Sequence, residues 1–179
     1  MAKAVQLHGR VDGVANCVGS LLLKSAHSTT EAEWSSTIAT NLTTEFAVVR
    51  AAAEAMLNAG GSIVLVSSAA ARLGLANHEA IAAAKAGVVG LTLSAAATYG
   101  RRGIRVNCVA PGLVRTPMTA PLTANEASLK ASMAMHALGK IGEPQDVAAA
   151  IEWLLSLDQS WVTGQVLGID GGLGSVRSR

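Results

Sequence analysis

A chain of 179 residues, half of them apolar, is long enough to bury one sizeable core and is not a disordered tail. The formal net charge of +2 is scattered, densest at Arg101-Arg102 and at Arg177 and Arg179, and only 3% of residues are aromatic, so there is neither a basic stripe nor a stacking platform for nucleic acid. The opening Met1-Ala2-Lys3-Ala4 lacks a secretory leader pattern, and no apolar run reads as long enough to span a bilayer, so a cytoplasmic protein with no membrane partner is expected.

In chain order, Ala2 to His8 reads as the end of a helix, and Asp12-Gly13 leads into a strand VANCV. Thr30-Glu31-Ala32-Glu33 has the spacing of a capping box. It opens a helical region from Glu31 to about Asn58, broken near Asn41 and stopped by Ala59-Gly60-Gly61, where glycine accepts left-handed dihedrals. Ser62 to Val66 is a continuous apolar strand, as expected when helices cover both faces of a parallel sheet. A helix from about His78 to Tyr99 carries a smooth face of small residues, Ala82, Ala83, Ala84, Ala86 and Gly87.

GIRVNCVA is the third strand, ended by Pro111-Gly112. Asn125 caps a short helix running towards Met135, and Pro144 takes the first turn of another reaching about Leu157, where its missing N–H has no intrahelical partner. Gln165 to Ile169 is the last strand, before Asp170-Gly171-Gly172. The alternation βαβαβαβ predicts an α/β fold built on a parallel sheet. Cys17 and Cys108 each fall in a predicted buried strand. One strand between them sets them roughly 10 Å apart, beyond disulfide reach, so both are expected reduced.

The chemistry concentrates between Gly61 and Gly90, where an apolar strand ends in Ser67-Ser68 and the following helix carries Lys85. Taken alone, these residues have local readings. Ser68 can bond nearby backbone groups, Lys85 can be a solvated helix lysine, Asn41 can simply break a helix, and Asn16, Gly19, Pro111 and Gly112 can shape turns.

Taken together and in order, the motifs resemble the short-chain dehydrogenase/reductase family over about Gly9 to Gly172. Asn16-Cys17-Val18-Gly19 is similar to the family's Asn-Asn-Ala-Gly, and Asn41 in TNLTTEF to its helix asparagine. Pro111-Gly112-Leu113-Val114-Arg115-Thr116 is similar to the segment that receives the nicotinamide carboxamide, and GEPQDVA followed by WVTGQVLGIDGG to the last helix and strand. The resemblance implies a Rossmann-like sheet and an oxidoreductase that uses NAD(H) or NADP(H) on a small-molecule carbonyl or secondary alcohol.

It also implies catalytic roles for Asn41, Ser68 and Lys85. Cofactor contacts are implied from Asn16, Gly19, Lys85, Pro111, Gly112, the Val114 backbone and Thr116. Met118, Met133, Met135 and His136 fall where the family carries a substrate lid, although ordinary packing explains methionines equally well.

Two departures qualify that expectation. The family's tyrosine, one helical turn before the lysine, is Ile81 here. A nascent alkoxide needs a proton from a positioned acid, and an alkyl side chain has none to give. His78 and Glu79 are nearby acids that stand as possible substitutes. Secondly, no GxxxGxG turn is present for the pyrophosphate, so the chain is expected to correspond to strands 4–7 of the family fold, a single partial domain over 1–179. Weak dinucleotide affinity, an exposed VANCV edge and self-association through the two Ala-rich helices follow as expectations. The other expected class is a noncatalytic fragment or pseudoenzyme acting through oligomerisation.

Overall fold

The computed structural model describes residues 1–176; the basic residues Arg177 and Arg179 lie outside the described residues. Seven α-helices are described, α1 (Ala2–His8), α2 (Glu31–Ile38), α3 (Thr44–Met56), α4 (Glu79–Tyr99), α5 (Ala120–Thr123), α6 (Glu126–Met135) and α7 (Pro144–Leu155). The strands are β1 (Gly13–Ala15), β2 (Gly61–Val66), β3 (Ile104–Pro111) and β4 (Val166–Ile169). They form one sheet in the order β1-β2-β3-β4, every neighbouring pair parallel.

Continuous apolar strands follow from having both faces covered. Ile63 and Leu65 of β2 point with Ile104, Val106 and Cys108 of β3 into a core closed by Val49 and Met56 of α3 and Val88 and Ala95 of α4. Val64 and Val109 point the other way, where Leu154, Val147 and Ile151 of α7 meet them. Arg105 ties α7 to the sheet, its guanidinium donating to the carbonyls of Leu154 (2.9 Å), Ser156 (3.0 Å) and Val162 (3.2 Å). The last carbonyls of a helix have no partner within it, and a cation there also meets the negative end of the helix dipole.

The capping box forms as the spacing requires: Glu33 N–H donates to Thr30 Oγ1 (3.2 Å), and Thr30 N–H donates to Glu33 Oε2 (2.8 Å). The expected break at Asn41 is a π turn over Ala39–Thr43, with Thr44 N–H reaching back to the Ala39 carbonyl. Such a turn inserts one residue into the helix and re-aims the side chains around it.

Two expectations need correction. The VANCV strand is only Gly13–Ala15, because the Asn16 side chain accepts from Val18 N–H (3.3 Å) and turns the chain away. Cys17 is consequently exposed rather than buried in a strand, whereas Cys108 is buried; both are free thiols. In addition, α4 with the turn that follows it, Glu79–Arg102, is by length and composition apolar enough to cross a membrane, contrary to the reading that no run was. In this fold it is the core helix, burying Ile81, Ala84, Val88, Thr92 and Ala95. The short helix α5 and the 3-10 turns at Ala26–Ser28, Ala69–Ala71, Gly100–Arg102 and Leu157–Gln159 carried no periodic signal and were not expected.

Candidate active site

A cavity of about 740 Å3 opens at the carboxyl ends of the strands, where open α/β sheets bind ligands. Four elements bring its polar groups together. The turn after β1 supplies Gly19 and Ser20, the π turn supplies Asn41, the end of β2 supplies Ser67 and Ser68, and α4 supplies Lys85 and Ile81. Pro111 and Gly112 also line it, together with Met118, Leu122 of α5 and Met135 of α6.

Asn41 is fully buried and saturated. Its amide donates to Ser20 Oγ (2.9 Å) and to the Thr37 carbonyl (3.0 Å), and its Oδ1 accepts from Ser20 N–H (3.0 Å). That last bond pulls the β1 turn onto the helix, and Gly19 is what permits it. A Cβ there would lie 3.2 Å from Asn41 Oδ1 and 3.7 Å from Lys85 Nζ.

Lys85 is held at both ends. Its backbone carbonyl accepts from Ser67 Oγ (2.7 Å), and its Nζ donates to the Val66 carbonyl (2.8 Å). Ser68 Oγ accepts from Ala70 N–H (3.1 Å), which leaves its O–H to donate elsewhere. Ile81 is 4% exposed and lines the same cavity as Ser68, one turn before Lys85 on α4.

Glu45, which sequence reasoning did not single out, is also fully buried beside this site. Its Oε1 accepts from Val66 N–H (3.3 Å), while Oε2 and the nearby Asn16 Nδ2 have no hydrogen-bond partner. Glu45 and Lys85 thus hold the N–H and the carbonyl of one residue, Val66, in two successive peptide units. The available signal was an acidic residue in an otherwise apolar stretch one turn after Asn41.

Burial raises the Glu45 carboxyl above its ordinary 4.5 and lowers the Lys85 amine below its ordinary 10.5, with the attraction between them opposing both shifts. A carboxyl raised by folding binds more protons in the native state, so its contribution is intact below about pH 4.5 and is lost as pH rises through the folded value. Lys85 acts oppositely: its burial cost is relieved as pH rises towards 10.5. Glu45→Gln is therefore expected to match the wild type in urea unfolding near pH 4 and to be the more stable form at about pH 6 to 7. Parallel curves for the two proteins across that range would contradict the carboxyl's assignment.

Of the candidate residues, Gly19, Asn41, Ser68, Lys85, Pro111 and Gly112 share the cavity wall. Asn16 lies behind it. Val114 pairs with Gly142 in an isolated bridge, and Thr116 bonds Thr119 within its own turn. His78 lines the cavity at the entrance to α4, with Nδ1 against the Ala76 carbonyl (2.7 Å). His136 is buried behind α6, where its Nε2 accepts from Leu113 N–H (3.2 Å) and its Nδ1–H donates to the Ser132 carbonyl (2.6 Å).

Comparison with known proteins gives the same architecture. A family model described as enoyl-(acyl carrier protein) reductase matches residues 1–174. A 3-oxoacyl-[acyl-carrier-protein] reductase of Thermotoga maritima is 40% identical over 176 residues, covering 96% of this chain and 69% of the relative. A short-chain type dehydrogenase/reductase from Mycobacterium ulcerans superposes with a TM-score of 0.91 at 34% identity, over 99% of this chain and 65% of that one. ElxO, solved with NADP bound, does so at 0.91 and 31% identity, over 98% of this chain and 72% of its own. Across the first curated relatives the chain spans 62% to 69% of their length. The parallel sheet, the glycine-assisted turn against Asn41, the Ser68 and Lys85 pair and these matches agree, and the chain belongs to the short-chain dehydrogenase/reductase family.

Proposed function

We propose that this chain is the catalytic end of an oxidoreductase that uses NAD(H) or NADP(H) on a small carbonyl compound or secondary alcohol, working slowly because Ile81 replaces the proton donor. The observation that carries the reading is the convergence of Asn41, Ser68 and Lys85 on one cavity, with Gly19 letting the β1 turn pass close to Asn41 and Nζ. The Lys85 amine on the cavity wall suits a ribose hydroxyl, and Pro111-Gly112 offers backbone to a carboxamide, so the residues fit the nicotinamide end of a dinucleotide. Bound there, the nicotinamide supplies the hydride.

The protein's own groups do the rest. Ser68 donates its O–H to the substrate oxygen, Asn41 fixes the turn that borders the ring, and Leu122, Met118 and Met135 exclude water from the opening. Asn16, Val114 and Thr116 belong to this reading as turn-forming support of the same cofactor end. The chain acts as one domain, and its exposed free Cys17 suits a reducing, cytoplasmic setting.

A second reading is favoured by Phe46 on α3 and Leu93 on α4, both more than half exposed. An apolar face of this kind suits self-association, with or without turnover. The test combines NADPH oxidation in the presence of a 3-oxoacyl thioester with mass by light scattering. Slow turnover abolished by Lys85→Ala supports the first reading. A stable oligomer with no detectable turnover supports the second, and a monomer without turnover defeats both.

A further inference from the structure

Lys85 sits in an unusual position for a cation. It is 7% exposed, yet its Nζ faces the cavity, and among the described residues no carboxylate lies within ion-pair distance of it. Its one hydrogen bond is to the Val66 carbonyl, which a neutral amine makes as well as an ammonium. Ile81, one turn away, offers no phenol whose ionised form would favour the charged amine. The cavity that Nζ enters has apolar stretches of wall, from Leu21, Leu75, Met118 and Met135.

We propose that Lys85 is an imine-forming amine: Nζ condenses with aldehydes and unhindered ketones that enter the cavity, without any nicotinamide. The nitrogen lone pair forms a C–N bond to the carbonyl carbon, and the carbonyl oxygen leaves as water carrying the two hydrogens of the amine. Ser68, with an uncommitted O–H on the same wall, donates to the carbonyl oxygen and then to the carbinolamine that precedes loss of water. A desolvated lysine in an apolar pocket is activated in this way because only the neutral amine is a nucleophile.

The groups that bear on its charge are Glu45 from α3, Cys17 from the turn after β1 and Cys108 from β3. Burial holds Glu45 and Cys108 towards their neutral forms, and partial desolvation shifts the Cys17 thiol the same way although the residue is exposed. Cys108 is pushed up to about 11. When the ammonium gives up its proton it forfeits the attraction of these three groups, Glu45 foremost, while burial favours the neutral amine that results.

This activity goes beyond the oxidoreductase reading and is separable from it, since it is measured with no dinucleotide present. The intact chain is incubated with hexanal and sodium cyanoborohydride near pH 7, where an ordinary lysine is almost wholly protonated, then digested and mapped by mass spectrometry. Hydride from the reagent and a proton from water convert the imine to a stable hexylamine on the residue that formed it. Lys85 is expected to be labelled at least about tenfold faster than the exposed Lys3, Lys130 and Lys140.

That preference is expected to disappear in urea and to shrink towards about pH 9 as ordinary amines deprotonate. Ile81→Tyr, whose phenol favours the ammonium, is expected to slow labelling of Lys85 severalfold without changing the exposed lysines. Labelling of Lys85 no faster in the folded chain than in urea overturns the proposal. So does a preference for Lys85 that Ile81→Tyr leaves untouched, because the amine's environment would then not be its cause.

Discussion

Ile81→Tyr is expected to raise the rate of carbonyl reduction by about a hundredfold or more, the usual range for restoring a positioned general acid. Ile81 and Lys85 stand one turn apart on α4 and both line the cavity that holds Ser68. A phenol placed there meets the substrate oxygen held by Ser68, and the Lys85 ammonium favours its ionised form, bringing a group that ordinarily titrates near about 10 closer to working pH. The cavity of about 740 Å3 has room for the ring.

The comparison is best made with the chain fused behind a Gly-rich dinucleotide-binding segment, so that both forms are saturated with NADPH and differ only in the acid. Adding Lys85→Ala is expected to remove the gain. Equal rates from the Ile and Tyr forms, both folded and both binding cofactor, would mean that another group delivers the proton.

The second large effect is on stability. Gly60→Ala is expected to cost at least about 2 kcal/mol, since the left-handed conformation alone costs a residue with a Cβ about 1–2 kcal/mol. Gly60 has φ +70, and a Cβ on it would lie 2.8 Å from the Gly103 carbonyl oxygen. Neither side can retreat. Gly61 N–H donates to that same Gly103 carbonyl (3.1 Å), and Gly60 N–H donates to the Met56 carbonyl (2.9 Å) at the end of α3.

A fall in melting temperature of at least about 4 °C is expected, at roughly 2–4 °C per kcal/mol for a chain of this size. Gly74→Ala serves as the control. Gly74 has open space where its Cβ would go, and that change should stay within about 0.5 kcal/mol. Similar melting temperatures for the two variants would show that the β2 and β3 starts are less tightly opposed than the geometry describes.

The sequence by itself determined the order of the four strands and the longer helices, the parallel sheet, the capping box at Thr30, the break at Asn41 and the stop at Gly60. These are local or periodic features: a cap is read within one turn, and an apolar strand between helices leaves few ways to cover both of its faces. The grouping of Ser68, Ile81 and Lys85 was legible only through the family resemblance, since each residue taken alone has a local reading.

Only the tertiary structure decided the rest. That Cys17 is exposed depends on the Asn16 side chain turning the backbone, and that Asn41 is spent on Ser20 and Thr37 depends on a turn twenty-one residues earlier in the chain. That α4, apolar enough to span a membrane, serves as a core helix of this fold depends on the sheet it covers. Glu45 shows the limit most clearly. As a residue of an amphipathic helix it reads as solvated, and only the packing of α3 against the end of β2 places its carboxyl, fully buried, on the Val66 N–H whose carbonyl holds Lys85. Burial and charge pairing across separate elements have no periodic signature, so the electrostatics of this site belong to the fold and not to any stretch of sequence.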